Sequence, residues 1–415
     1  VKQTHVNPAL SHSMTRSFFR TALFLQRQLW IWPLIAAVAL GVIAIWVKER
    51  VDNAIQAQLA SELEIVLRAD VEGLKIWLES QGSNASAAAR SDDVERLVGD
   101  LIVVADKPGA GTLELAASQA TRDLAEELLP WQEEHNYTGY IVADTKERII
   151  ASHAPELLGK RSLPGYSEFL PKVFAGEATV SHPFPSLIVL EDRDGRASAG
   201  VPTMYAAAPV RNGAGEIIGA LGFRLDPERD FTRILSIARG GKSGETYAFN
   251  RQGLMLSESR FDEDLKRVGL IANRPESRSI LQLDLRDPGG NMLAGFRPTG
   301  LRDELPFTEP VRAAVAGRDG VNTVGYRDYR GVPNVAAWKW LPEYDFGVVT
   351  EIDRAEAYAP LYVVRPVFWG LFGLLASSAL AIFVFTLFVS RLKSSAQHAA
   401  LKAQQLGQYK LEEKI

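Results

Sequence analysis

Two long apolar runs without a charged side chain, Leu29 to Val47 and Pro366 to Ser390, stand near opposite ends of the chain. Between them, residues 48–365 alternate apolar and polar positions at shorter periods. At ~1.5 Å per residue, each run can cross a hydrocarbon layer of roughly 30 Å, so two membrane-spanning helices are predicted. Trp30, Trp32 and Trp46 frame the first and Tyr358, Tyr362 and Trp369 the second, as amphipathic rings do at headgroup depth. Lys2, Arg16, Arg20 and Arg27 precede the first run with no acid among them, and Arg391, Lys393, Lys402 and Lys410 follow the second. Positive flanks stay in the cytoplasm, which places both termini there and the middle segment outside. A cleaved signal peptide is the alternative for the first run, but its polar leader is long and no small-residue cleavage pattern follows at Trp46-Val47-Lys48.

The exterior segment opens with a helical period. Ile55, Leu59, Leu63, Val66, Leu67, Val71, Leu74 and Leu78 recur every three or four residues, which predicts one helix over Val51 to Ser80. The turn formers Gln81 to Ser86 are expected to end it, with shorter helices over Asp92 to Val104 and Leu113 to Glu134. Residues 48–136 thus read as a stalk with associated helices.

From Tyr137 the period shortens. Tyr140 to Ala143 and Ile149 to Ser152 read as a hairpin, Tyr166 to Ala175 as a helix ending at Gly176, and Ala178 to Ser181, Met204 to Val210 and Ile217 to Leu225 as strands. The same order returns downstream. Gly244 to Phe249 and Leu254 to Ser257 mirror the first hairpin, Val315-Ala316-Gly317 answers Phe174-Ala175-Gly176, and Gly331-Val332-Pro333 answers Gly200-Val201-Pro202. Gly347 to Asp353 repeats Gly219 to Asp226. Two copies of one α+β unit are implied, over residues 137–235 and 236–358. The second span with its lead-in then covers 359–390, a helix-forming cytoplasmic stretch 391–405, and a different segment 406–415.

Composition narrows the chemistry. A net charge of −4 with 23% charged residues carries no basic field for nucleic acid. The absence of cysteine excludes disulfides, thiolate metal sites and a cysteine nucleophile. No two of the six histidines have the i,i+4 spacing of a zinc pair, and no catalytic motif is present, so neither a metal nor a cofactor is expected.

The order of "GYIVAD…RIIAS", "FAGEATVS", "AAPVRNGAGEIIGALGFRLD" and "WLPEYDFGVVTEID" between two spans resembles the double Cache sensor region of bacterial transmembrane receptors, over roughly Val51 to Tyr358. The resemblance implies two tandem PAS-like antiparallel-sheet units on a long N-terminal stalk helix. It also implies that the first unit lies far from the membrane and holds a small ligand, while the second lies near it, in the periplasm of a cell-membrane receptor. The ending Leu406 to Ile415 resembles the first strand of bacterial eukaryotic-type serine/threonine kinases, without the phosphate loop, lysine or catalytic Asp and Asn. A polar tail or the lead-in to another output domain is the alternative there.

A small-molecule pocket needs apolar walls with a few convergent polar groups. Arg161, Tyr166, Phe169, His182, Tyr205 and Arg224 are the candidates. The resemblance implies, for amino-acid binders, an arginine with aromatics near the helix and a late Asp on the sheet. Here "RSLPGY" departs from that spacing, and Arg224 stands where the Asp is expected, with Asp226 two residues on. Two guanidinium groups suit an organic carboxylate or another anion. The alternative is that Arg224 pairs with Asp226 or Glu228. In the second unit, Tyr326 to Arg330 reads as a hairpin with alternating exposed charges, and Trp338 and Trp340 as core or dimer packing. A homodimer is expected, with Leu59, Leu63 and Val66 as contacts. The competing functions are a membrane-tethered exported hydrolase and a partner-binding module without a small ligand.

Overall fold

The computed structural model describes residues 31–107, 111–191, 195–238 and 240–412. The tail at 1–28, the first two residues of the first apolar run and the last three of the chain lie outside the described residues. The chain divides into two compact units, one formed by residues 56–357 and the other by the flanking segments.

In the 56–357 unit the periodic stalk becomes helix α1 (Ile31–Ala89), which begins in the flanking unit and does not end at the turn formers. Gly82, Ala85, Ala88 and Ala89 are buried, and an added Cβ on Gly82 would stand 4.0 Å from Ala178. Small side chains let the helix approach its neighbours closely, and that packing overrides a weak local propensity. Helices α2 (Asp92–Ala105), α3 (Thr112–Ala117) and α4 (Gln119–His135) follow.

Strands β1 (Gly139–Asp144), β2 (Ile149–Ser152), β3 (Thr179–Val180), β4 (Phe184–Pro185), β7 (Pro202–Arg211) and β8 (Ile217–Leu225) form the first sheet, and β5 (Leu190–Glu191) pairs only with β6 (Ala197–Ser198). Helix α5 (Tyr166–Phe174) lies across one face through Tyr166, Phe169, Leu170 and Val173, while α2 contacts the sheet on β2, β7 and β8. With both faces covered, β1 is buried at every position, which is why it reads as a continuous apolar run rather than an alternation.

After α6 (Phe231–Ser236) comes the second sheet, of β9 (Glu245–Phe249), β10 (Gly320–Arg327), β11 (Pro333–Leu341) and β12 (Phe346–Asp353), with α7 (Asp262–Val268) and α8 (Glu309–Val315). Its order β10-β11-β12-β9 matches β3-β7-β8-β1 of the first sheet, so the sequence repeat is a repeat of strand winding. The expected return strand at Leu254 to Ser257 is reduced to isolated bridges, Phe249 to Met255 and Leu254 to Asp284. Trp338 and Trp340 join Tyr247, Phe249, Leu283 and Val311 in the core.

Three expectations are corrected. Leu59 and Leu63 are buried within the protomer and Val66 is half-buried, whereas Ile65 and Ile76 point outward, 62% and 67% exposed. Residues Asp328, Tyr329 and Arg330 do not alternate outward; all three are buried, because polar partners satisfy them inside the second unit. Residues 406–412 continue a helix where a strand was expected.

Helix α9 (Arg354–Ala357) closes the 56–357 unit, and α10 (Ala359–Glu412) belongs to the flanking unit. Its portion Ala359–Ala403 is long and apolar enough to cross a membrane, and it alone is so among the described residues. Arg365 reaches Asp52 of α1 at 3.1 Å.

Candidate ligand-binding site

The candidate site forms where α5 crosses the first sheet. The chain enters α5 through Gly165, at φ +81°, a conformation that L side chains rarely adopt. A Cβ there would fall 2.4 Å from the Phe184 ring, so this glycine permits the aromatic contact behind it. Tyr166 and Phe169, one helical turn apart, both face β7. There Tyr205 is held by reciprocal bonds with Ser181: its N–H donates to Ser181 Oγ at 2.9 Å, and its carbonyl accepts from the Ser181 N–H at 2.9 Å.

Four rings meet around Tyr205. Its centroid lies 5.2 Å from Tyr166, 5.9 Å from Phe169 and 6.1 Å from Phe184. The Tyr166 hydroxyl donates to that of Tyr205 at 3.1 Å, giving the apolar cluster one polar edge. Burial raises both phenols above their ordinary values, so both stay protonated; with the Tyr166 proton given to Tyr205, the Tyr205 hydroxyl is the donor left over.

Strand register brings Arg224 to the same face. It pairs with Tyr205 on β7 and with Gly139 on β1, so its side chain shares the Tyr205 side of the sheet. Its Nε donates to Thr138 Oγ1 at 2.8 Å and its Nη2 to the Thr138 carbonyl at 3.0 Å. Burial pulls this guanidinium below its ordinary value, with the nearby Tyr205 and Asp226 opposing. The expected competitor is otherwise engaged: Asp226 Oδ1 accepts the backbone N–H groups of Glu228 at 3.0 Å and Arg229 at 3.2 Å. His153 lies beside this corner, its Nδ1 3.2 Å from the Tyr140 backbone, and a Cβ on Gly139 would stand 2.3 Å from it.

Of the residues expected from sequence, the structure therefore brings together Tyr166, Phe169, Tyr205 and Arg224. His182 is placed elsewhere, on a cleft of about 490 Å³ between the two sheets, where its Nε2 meets Glu168 at 2.6 Å. Arg161 is exposed on the loop after β2, bridged through its backbone to Arg148. Phe184, Thr138 and His153 were missed. Phe184 sits in a two-residue strand, too short for a period to show, and Thr138 and His153 reach the site through register alone.

The chain thus presents a twin-sheet body on a stalk helix, with an aromatic, arginine-edged candidate site on the first sheet. Residues 49–361 match the Cache domain family, and the chain belongs to it, a family of extracytoplasmic sensor domains in signal transduction. Similar solved structures include the ligand-binding domain of the Pseudomonas aeruginosa PAO1 amino-acid chemoreceptor PctB in complex with L-Arg. It is 14% identical over 77% of this chain and 98% of that one, with a TM-score of 0.44. The Vibrio cholerae histidine kinase DctB sensor domain is 13% identical over 72% and 98%, at 0.41. The P. aeruginosa PAO1 chemoreceptor PctC domain with GABA is 15% identical over 72% and 99%, at 0.39. No curated protein matches the sequence.

Proposed function

We propose that this chain is the sensing part of a two-span receptor of the bacterial cell membrane, with both termini cytoplasmic and residues 48–365 outside. A small organic carboxylate or related anion binds at the first sheet, and the second apolar helix carries the signal to a cytoplasmic output domain. The observation that carries this reading is Arg224. It is a half-buried cation hydrogen-bonded by a hydroxyl and a carbonyl rather than by an acid, at the edge of an aromatic cluster whose Tyr205 hydroxyl keeps its proton to donate. A carboxylate is the ligand group that answers it.

Ligand acts by favouring one of two arrangements of the sheet and α1, and only a difference in affinity between them transmits anything. The receptor works as a homodimer through the outward face of α1, where Ile65 and Ile76 lie eleven residues, three turns, apart.

Thermal unfolding of the full chain in detergent with a panel of organic carboxylates tests the site. A binder raises Tm by mass action. Arg224→Ala should abolish that shift and Arg161→Ala should leave it; a shift unchanged in both Arg224→Ala and Tyr205→Phe rejects the site. Because the chain has no cysteine, Ser83→Cys gives a single exposed thiol for labelling intact cells. Failure of an impermeant reagent to reach it rejects the topology.

A further inference from the structure

The second sheet unit contains a group of buried acids that the ligand site does not use. Glu245 and Glu351 stand directly opposite each other in the β9–β12 ladder, 2% and 1% exposed. Like charges in that relation are destabilising, and here water does not screen them. Glu351 accepts from the Tyr326 hydroxyl, from the Tyr247 hydroxyl at 3.0 Å and from Asn334 Nδ2 at 2.9 Å. Glu245 accepts from the Tyr329 hydroxyl, from Ser259 Oγ at 2.9 Å and from the Arg260 backbone N–H at 3.2 Å. All six donors are neutral.

The one cation buried in this cluster is committed elsewhere. Arg330 Nε donates to Asp328 Oδ2 at 2.6 Å and its Nη2 to Asp353 Oδ1 at 2.9 Å, with the guanidinium 3.6 Å over the Phe261 ring. Asp328 also accepts the backbone N–H groups of Arg330 at 2.9 Å and Val332 at 2.8 Å. The groups facing the Glu245–Glu351 pair are therefore Tyr247 from β9, Tyr326 from β10, Asp328, Tyr329 and Arg330 from the β10–β11 turn, and Arg260 from the loop after β9. Arg302 reaches the same turn, donating to the Tyr329 carbonyl at 3.3 Å. Of the three buried carboxylates, only Asp328 is therefore bonded to the buried guanidinium.

We propose that Glu351, set opposite Glu245 in the ladder, takes up a proton from the exterior medium and makes the second sheet unit a pH input, separate from the ligand input at the first sheet. The exterior source rests on the topology proposed above; the pairing of the two acids does not. With Glu351 protonated, the pair carries a single charge at most. With neither acid protonated, two unscreened anions oppose each other across β9 and β12. Strand β12 ends at Asp353 and the chain enters α9 at Arg354, so a shift in β12 falls on the segment leading to the second apolar helix.

The local electrostatics point the same way. Burial drives the Glu351 carboxyl well above its ordinary value, with the charges of Asp328 and Glu245 adding to it. Burial also raises Asp328, to about 6, against the pull of Arg330. An acid raised by folding stabilises the fold fully below its unfolded value and loses that contribution as pH rises through the folded one. Acidification should therefore tighten this unit.

The test is infrared spectroscopy of the full chain in lipid nanodiscs, following the carbonyl band of protonated carboxyl groups between about pH 5 and about pH 9, with Tm read in parallel. The expected result is a band that fades as pH rises, with a Tm about 4 °C lower at the alkaline end. That fading should be smaller in Glu351→Gln, where the part due to Asp70 and Asp328 near pH 6 remains, and altered in Glu245→Gln. A wild-type band that is missing or insensitive to pH overturns the proposal without any variant, and so does a fading unchanged in both variants. The carboxylate-induced Tm shift at fixed pH reports the first sheet independently, so the two readings fail separately.

Discussion

The Asp70 carboxylate, two-thirds of the way along α1, accepts a hydrogen bond from the Thr246 hydroxyl at 2.6 Å, and Thr246 in turn meets its cross-strand partner Thr350 at 2.9 Å. The stalk is thus tied by an acid to the strand pair that carries Glu245 and Glu351 on its opposite side. Burial raises Asp70 to about 6, the Thr246 bond opposing. Its charge is therefore a cost to the fold at neutral pH and none below about pH 4. Asp70→Asn keeps an acceptor for Thr246 and removes that charge. Thermal unfolding should show the variant more stable than wild type near pH 8, by on the order of 1–2 kcal/mol, and equal to it near pH 4.

Arg148 behaves oppositely. It is buried with Nη2 2.8 Å from Asp144 and 2.6 Å from Asp106, while Nη1 donates to the Ala105 carbonyl at 2.5 Å. The guanidinium joins the β1–β2 hairpin to the end of α2, and its bond holds the Asp106 carboxylate below the usual range. Arg148→Leu leaves Asp144 buried without its partner. A loss of about 3–5 kcal/mol is expected in denaturant unfolding. Lys146→Ala, which removes only an exposed contact at 3.2 Å, should change little.

At the ligand site the sharpest steric test is Gly165→Ala. The new Cβ would meet Phe184 and force a left-handed alanine, so both backbone strain and the displaced ring act against it. The first sheet unit should lose about 1–3 kcal/mol. The carboxylate-induced Tm shift should shrink along with the baseline Tm, because the rings around Tyr205 no longer close.

Most strands of the first sheet, the duplicated unit and three of the four rings were legible because β-type runs and a helical stripe carry their period openly, whereas the β1–β8 neighbourhood in the sheet was not. Arg224 was legible through its place late on β8, but what holds it was not: Thr138 is remote in sequence and is brought in by the β1–β8 register. The buried acids were misread for a similar reason. Tyr326-Arg327-Asp328-Tyr329-Arg330 has the alternation of an exposed hairpin, and Arg327 does lie outside with Asp287. Only the three-dimensional supply of donors and of Asp353 makes it possible to bury Asp328 and Arg330. Patterning reports the faces of an element, not the partners waiting for it.

The outward face of α1 decides the dimer. Ile65 and Ile76 are exposed, while Leu63, 6% exposed, faces the protomer's own core. Ile65→Glu with Ile76→Glu should convert dimer to monomer in light scattering of the detergent-solubilised chain while leaving Tm nearly unchanged when extrapolated to low concentration. Leu63→Glu should instead unfold the protein, since it buries an unpaired charge. A double variant that stays dimeric removes this face from consideration.

Gly82 offers a gain of stability in the same helix. It lies within α1, and a Cβ there would stand 4.0 Å from Ala178, ordinary contact distance rather than a clash. No positive φ is required of it. Glycine in a helix interior costs roughly 0.5–1 kcal/mol relative to alanine, because it surrenders more backbone freedom on folding. Gly82→Ala should therefore raise stability by about that amount, and by slightly more if the methyl buries surface against Ala178. Gly82→Val should gain less, since β-branching restricts the rotamer in a helix. Measured as denaturant midpoints at constant slope, the pair separates helix propensity from packing. Equal destabilisation by both substitutions would mean that the close approach of α1 to Ala178 needs the missing Cβ, and that the glycine is there for packing.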